Sequence, residues 1–290
     1  MTTASFASLA ERIETLASTP SDAALPDDAE SVVAQLLAAL ERGEVRSAER
    51  DSDGTWHAVP WVKRGILLGF RAGRVVPMPD ANGAAGALPV SFFDKHTIPP
   101  RVLTLDDGVR VVPGGTSIRR GSYVAPGVVC MPPVFINVGA YVGAGTMVDS
   151  HALVGSCAQI GDRVHLSAGV QIGGVLEPIN ATPVIIESDA IVGGNSGVYE
   201  GTIVRSRAVL GAGSVLTRGT PVYDLVRERV YRAESGRPLE IPEGAVVVPG
   251  ARAVRGAWAG AEGLSVQTPL IVKYRDEKTD LATALEQWLR

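Results

Sequence analysis

Three carboxylates, Asp149, Glu177 and Glu200, stand in glycine-rich stretches of the middle of the chain, where each could hold or accept a proton. Arg110 lies in Arg110-Val111-Val112-Pro113, and its guanidinium fork suits a ligand that bears carboxylates. His151 and His165 raise metal chemistry, but a catalytic zinc of the hydrase kind takes three imidazoles, and these two stand fourteen residues apart. No metal is therefore expected. Cys157, next to Ser156, has no evident histidine partner for a nucleophilic role.

The elements that must carry these groups show in a repeat. Stepping by six from Val112 gives Ile118, Val124, Cys130, Ile136, Val142, Val148, Val154, Ile160, Leu166 and Ile172. The series breaks over residues 174–183 and resumes, shifted by two, at Ile186, Val192, Val198, Val204, Leu210, Leu216 and Val222. The residue two before each is small or β-branched, as in Ser122, Ala140, Thr146, Ala152, Ala190 and Ser214. Eleven positions and then seven, at three per coil, predict a parallel β-helix of about six coils. The aliphatic residue points into the prism and stacks on its equivalents, since no coil can bury its inner face alone. Cys130 falls on an inward position and reads as core. Asp149, directly after inward Val148, falls outside, as does Cys157. Glycines that follow the aliphatic residue, at 143, 155, 161 and 173, are expected to relieve steric crowding at the corners.

Residues 1–108 read as a helical domain. Phe6, Leu9, Ile13 and Leu16 recur at helical spacing, as do Val33, Leu36, Leu37 and Leu40. A third pattern, Val62, Ile66 and Phe70, begins just after Pro60, a favoured first-turn residue. The β-helix is expected over 109–250, with excursions at 174–183 and 224–240 and a last partial coil marked by Ile241 and Val247. A C-terminal segment, 251–290, reads as a short strand at Leu270-Ile271-Val272 and a helix bearing Leu281, Leu285 and Leu289.

Composition narrows the function classes. The 290 residues carry a net charge of −4, which offers no basic footprint for nucleic acid. No stretch approaches the ~20 apolar residues of a membrane helix. The N-terminus lacks the basic and apolar regions of a secretory signal, and two cysteines make no disulfide framework, so a cytoplasmic location is expected.

One run is more specific than the repeat. Gly145-Thr146-Met147-Val148-Asp149, Val154-Gly155-Ser156-Cys157-Ala158-Gln159-Ile160-Gly161, Val164-His165-Leu166-Ser167 and Ile172-Gly173-Gly174-Val175-Leu176-Glu177-Pro178 follow one another. Together they resemble the tetrahydrodipicolinate N-succinyltransferases, a family of the hexapeptide-repeat acyltransferases. Met131-Pro132-Pro133, Ile136 to Val142, Phe93-Asp94-Lys95 and Ile271-Val272-Lys273 match too, so the likeness covers roughly residues 56–275. The resemblance implies a left-handed β-helix and a homotrimer with active sites between neighbouring prisms. It implies transfer of succinyl from succinyl-CoA to the amine of ring-opened tetrahydrodipicolinate, in lysine and diaminopimelate biosynthesis. Succinyl-CoA would be a co-substrate, with no tightly bound cofactor.

Amide formation from a thioester needs a base for the amine and donors for the oxyanion. Asp149 matches the family's substrate-binding acid and Arg110 its substrate-carboxylate arginine; each could instead be a solvated surface group. Asn137, His151, Ser156 and Asn195 are further acceptor-binding candidates. Gly174, Ala212, Gly213 and Ser214 are small enough for a pantetheine arm to lie against the backbone, or they simply satisfy the repeat. Arg218 and Lys273 could meet CoA phosphates or be solvated. Two departures matter. A glutamate of the family stands where this sequence has Gly197, and a tryptophan where it has His151. Glu200 or Glu177 then becomes the candidate second carboxylate. A paralogue acting on a related amino dicarboxylate, an acetyl-CoA donor, and a non-catalytic scaffold remain open on these residues.

Overall fold

The structure, a computed structural model, describes residues 3–78 and 92–276. Three helices open it: α1 (Thr3–Ala17), α2 (Ala29–Glu41) and α3 (Pro60–Ala72). Their apolar stripes meet, with Leu9, Ile13 and Leu16 packed among Val33, Leu36, Leu37, Val62 and Ile66. Arg12 pairs in two-pronged fashion with Asp28 at the start of α2. Two antiparallel hairpins accompany the helices, Ala48–Arg50 with Trp56–Ala58 and Val75–Met78 with Phe92–Lys95. The sequence pattern does not announce them, because strands of three or four residues show too little alternation.

The prism follows. Two-residue strands repeat every six residues and lie parallel, so that each coil of 18 residues contributes one strand to each of three faces. The first face runs from Arg110–Val111 upward through Val129–Cys130, Met147–Val148, His165–Leu166, Ile191–Val192 and Val209–Leu210. The second runs from Ser117–Ile118 to Val215–Leu216, and the third from Tyr123–Val124 to Glu240–Ile241. After the exposed pair Arg110–Val111, the second residue of each of these strands points inward. Ile136, Val142, Val148, Val154, Ile160, Leu166, Ile172, Val192, Val198 and Val204 are all fully buried, each stabilising the fold by roughly 1.5–3 kcal/mol.

Three details differ from the sequence reading. The first coil is out of step: Val111, not Val112, pairs beside Cys130. At the other end Val222 stays buried in the core, but its strand pairs with Ser265–Tyr274, and Ile241 stacks on Val204 in the place expected for Val222. The chain returns to the prism when Ile241 pairs beside Val204 and Val247 beside Leu210. The expected short strand at 270–272 is part of a ten-residue strand, Ser265–Tyr274. It pairs antiparallel with Ala245–Ala253 across a short helix, α4 (Ala257–Ala261). The helix expected at Leu281 to Leu289 lies outside the described residues.

Corner sterics also divide differently. Left-handed backbone falls at the third corner residue, every sixth position: Gly139, Gly145, His151, Cys157, Arg163 and Gly169 have φ of 76°, 67°, 62°, 67°, 52° and 72°. The glycines just after the inward residue serve close approach between coils instead. A Cβ on Gly155 would lie 2.2 Å from Gly174 N, and one on Gly161 2.5 Å from Ser188 N.

The helices sit on the edge between the second and third faces, and the first hairpin covers the third face. Arg46 stacks on Tyr141, 3.7 Å from its ring centre, and its Nε donates to Gln159 Oε1 at 2.9 Å. Trp56 Nε1 donates to Glu187 Oε1, also at 2.9 Å. Cys157 is outward by the repeat yet fully buried, because Ile66 and its neighbours cover that corner. Burial pushes the Cys157 thiol up to about 11 and the Cys130 thiol up to about 12. Neither should react with iodoacetamide in the native protein, while both should after denaturation. Labelling of Cys157 by mass spectrometry under native conditions would contradict this packing.

Lys63 on α3 is fully buried, and its Nζ donates to the Ala181 carbonyl at 2.6 Å, tying the protruding loop to the helices. Burial holds its ammonium below the usual lysine range. The unfolded chain therefore binds that proton more tightly than the native one. The stability gained on deprotonation is complete above the ordinary lysine value of about 10.4 and is lost as pH falls through the lowered native value. The urea midpoint of the native protein should accordingly rise relative to Lys63→Met between pH 7 and pH 10. A gap that does not change with pH would refute it.

Candidate active site

The prism sorts the outward residues onto edges. Corners between the first and second faces are residues 149–151, 167–169, 193–195 and 211–213, stacked by Gly169 N–Ser150 O, Asn195 N–Ala168 O and Gly213 N–Gly194 O bonds of 2.8, 2.9 and 2.9 Å. Asp149, His151, Asn195, Ala212 and Gly213 thus share one edge. Asp149 N bonds to Leu166 O, and Asp149 Oδ1 accepts from Ser150 N at 2.7 Å, which leaves its other oxygen clear of that bond. His151 and Asn195 adopt left-handed backbone, and Asn195 Oδ1 lies against Gly169, 2.3 Å from where a Cβ would stand. Arg110 opens the first face two strands before Met147. It is exposed and about 10 Å along the prism axis from the level of Asp149.

The second–third edge holds the others. Asn137, Ser156, Gly174, Glu200 and Arg218 all follow inward residues of the second face. Asn137 is spent on structure: Oδ1 accepts from Val138 N at 2.9 Å and from Arg119 at 3.5 Å. The Ser156 carbonyl receives Val175 N at 3.2 Å and anchors the base of the loop. Above it opens a cleft of about 540 Å³, lined by Gly173, Gly174, Glu177, Tyr199, Glu200, Thr217 and Arg218 among others. Glu200 Oε2 accepts from Arg218 N at 2.8 Å. That cleft brings together Gly174, Glu177, Glu200 and Arg218.

The remaining candidates fall elsewhere. Ser214 is fully buried, with Oγ donating to Gly211 O at 2.7 Å, so its side chain is part of the prism interior and no surface for a ligand. Lys273 pairs beside Val246 on the C-terminal strand, with Asp276 at 3.4 Å. His165 stands on the first face between Met147 and Ile191.

The two edges bound the second face. One strand and its corners span on the order of 20 Å, too far for Asp149 to meet Glu177 or Glu200 of its own chain. Each edge by itself is half a site: one offers a carboxylate and small corner residues, with Arg110 on the adjoining face, the other a cleft with a cation and two carboxylates. Sequence reasoning missed Tyr199 and Thr217 as cleft residues. The aromatic two positions after Gly197 was the available signal, since a glycine at an outward strand position leaves room that some neighbour must fill.

Known proteins of similar sequence and fold identify the family. Residues 8–72 match the model of the tetrahydrodipicolinate N-succinyltransferase N-terminal region, and 183–218 that of the hexapeptide repeat of succinyl-transferase. A 2,3,4,5-tetrahydropyridine-2,6-dicarboxylate N-succinyltransferase of Nitrobacter winogradskyi is 42% identical over 264 residues, 89% of each chain. One of Albidiferax ferrireducens is 43% identical over 277 residues, 93% of each. A crystal structure from Campylobacter jejuni, assigned as a 2,3,4,5-tetrahydropyridine-2-carboxylate N-succinyltransferase, superposes with a TM-score of 0.53 at 16% identity. It shares the fold over 87% of this chain, which spans 64% of that one's length. Stacked hexapeptide coils with a helical cap define a hexapeptide-repeat transferase of the left-handed β-helix type. Within that class, the chain belongs to the 2,3,4,5-tetrahydropyridine-2,6-dicarboxylate N-succinyltransferase family. Among the described residues, no helix is long and apolar enough to cross a membrane.

Proposed function

We propose that the protein transfers the succinyl group of succinyl-CoA to the amine of ring-opened tetrahydrodipicolinate, as a cytoplasmic homotrimer. Membership of the family carries this reading. The amine attacks the thioester carbonyl, a C–N bond forms, the C–S bond breaks, and CoA leaves as the thiolate. Asp149 takes the amine proton, which then passes to the departing sulfur. Arg110 holds a carboxylate of the acceptor. Arg218 on one edge and Lys273 near the top of the first face meet the phosphates of CoA, whose pantetheine arm runs along Ala212 and Gly213 of one prism and Gly174 of the next.

The split site and the outward surfaces support the trimer. Met147, Ile191 and Val209 stand outward on the first face, with His165 among them, and Phe135, Leu153 and Val215 stand outward on the second, with Gln171 and Gly197 before Val215. Such faces call for a partner prism, and pairing two copies brings the Asp149 edge of one to the cleft of the next. Refolding a mixture of Asp149→Asn chains with Glu177→Gln/Glu200→Gln chains tests this. Activity above either parent supports a shared site; no gain means that each site lies within one chain.

A second reading is favoured by one observation. Gly197 and His151 replace two side chains of the family pattern, which suits an altered acceptor, a related amino dicarboxylate. A thiol-release assay separates the readings by crossing succinyl-CoA and acetyl-CoA with tetrahydrodipicolinate and simple amino dicarboxylates. Turnover of succinyl-CoA with tetrahydrodipicolinate supports the first. Preference for another acceptor or for acetyl-CoA supports the variant, and failure to bind CoA in a thermal-shift measurement supports a scaffold.

A further inference from the structure

Gly197 occupies the outward position of a strand on the second face, between Gln171 on one side and Val215 on the other. Such positions carry exposed or half-buried side chains elsewhere on this face, yet Gly197 is buried. The cover is Tyr199. Its ring folds back from the corner across two glycines. A Cβ on Gly173 would stand 2.8 Å from Tyr199 Cδ1, and one on Gly197 2.4 Å from Cε2 and 2.7 Å from the hydroxyl oxygen. No side chain larger than hydrogen at either position leaves the ring where it is. The Tyr199 backbone is pinned by N–Leu216 O and by two bonds to its carbonyl from Thr202, at 2.9, 3.1 and 2.8 Å. Among the described residues, nothing hydrogen-bonds the hydroxyl itself.

A phenol so placed puts its hydroxyl oxygen 2.7 Å from the point where residue 197 would begin a side chain. The same ring lines the cleft beside Glu177, Glu200 and Arg218. The half-buried Tyr199 ring leaves its hydroxyl open to a ligand in the cleft. The hydroxyl can both accept from an amine and donate to a carboxylate, which an aspartate or glutamate at the same point cannot do when ionised.

We propose that Tyr199 is an acceptor-binding residue of this site: its hydroxyl stands in for a side chain at position 197 and takes a hydrogen bond from the acceptor's amine. The proposal rests on the N-acyltransferase reading and adds to it the group that recognises the amine. The acceptor it selects is a dicarboxylate whose amine lies within reach of a hydroxyl, with Asp149 of the neighbouring prism on the other side.

Calorimetry on the intact protein in the presence of CoA tests it with two probes, an amino dicarboxylate and the same dicarboxylate without the amine. The unaltered protein should bind the amine-bearing probe more tightly. Tyr199→Phe keeps the ring and the packing on Gly173 and Gly197, so its melting temperature should not change. It should reduce the preference for the amine about tenfold, the effect of one hydrogen bond to a polar group, and leave CoA affinity alone. Gly197→Ala, whose methyl group displaces the ring, should lose the same preference. Undiminished preference in Tyr199→Phe overturns the proposal alone. Failure of the unaltered protein to bind either probe overturns the N-acyltransferase reading and this proposal with it.

Discussion

Asp149→Asn should lower kcat at least 100-fold while the protein keeps its melting temperature, its oligomeric state and its affinity for succinyl-CoA. The substitution is chosen for what it preserves. The asparagine oxygen can still accept the Ser150 N–H that holds the corner in place. Inward Val148 is untouched, and the backbone bond from residue 149 to Leu166 is independent of the side chain. What disappears is a carboxylate able to take a proton from the acceptor amine, a contribution worth about 10²–10⁴ in rate where a positioned base is required. Steady-state kinetics over both substrates with a parallel melting curve is the measurement. A kcat within a few-fold of the unaltered protein would remove Asp149 from the mechanism. A fall in stability of similar size would make it a corner-forming residue and nothing more.

Gly155→Ala should produce the largest loss of stability of any single methyl addition in the prism. Its backbone is not left-handed, so conformational freedom is not at issue. The cost is contact with backbone: the new Cβ would meet Gly174 N at 2.2 Å, Gly174 Cα at 2.6 Å and Gly173 C at 2.7 Å. None of these can rotate away. The third coil must lift from the fourth where the cleft loop departs, at about 3 kcal/mol or more. Gly145→Ala is the natural control. Its φ of 67° is strained for alanine, but its Cβ would meet only Arg163 Cγ at 3.5 Å. That change should cost about 1–2 kcal/mol. Equal urea midpoints for the two variants would show that coil spacing at residue 155 is looser than the structure has it. Because Gly174 lines the cleft, Gly155→Ala should also weaken succinyl-CoA binding, whereas Gly145→Ala, on the edge between the third and first faces, should not.

The interior of this protein was written in the order of its residues. Each inward side chain from Ile118 to Leu216 meets the same surroundings, its equivalents one coil away, so a local rule applied every six residues specifies both the rod and the inward register. The three N-terminal helices were legible for a similar reason, since each shows its own apolar stripe. The rule failed where that sameness ends. The first strand slips by one residue at Val111, because among the described residues it ends its sheet and no strand pairs on its other side to enforce register. Val222 gives way to Ile241 because the next inward place can be filled by any aliphatic residue that the chain brings back. Outward positions are different in kind, since what touches them comes from far along the chain. Cys157 looks exposed by its place in the repeat, yet α3, some 90 residues earlier, and Ser47 help to bury it. Gly197 looks like a missing side chain until Tyr199 is seen lying across it. Asp149 and the Glu177–Glu200 cleft read in one dimension as neighbours in a site, yet the prism puts them on opposite edges of a face. The sequence by itself determined what faces inward, because that depends on period alone. The tertiary structure decided which outward residues can meet, because that depends on the angle between faces and on segments that no period relates.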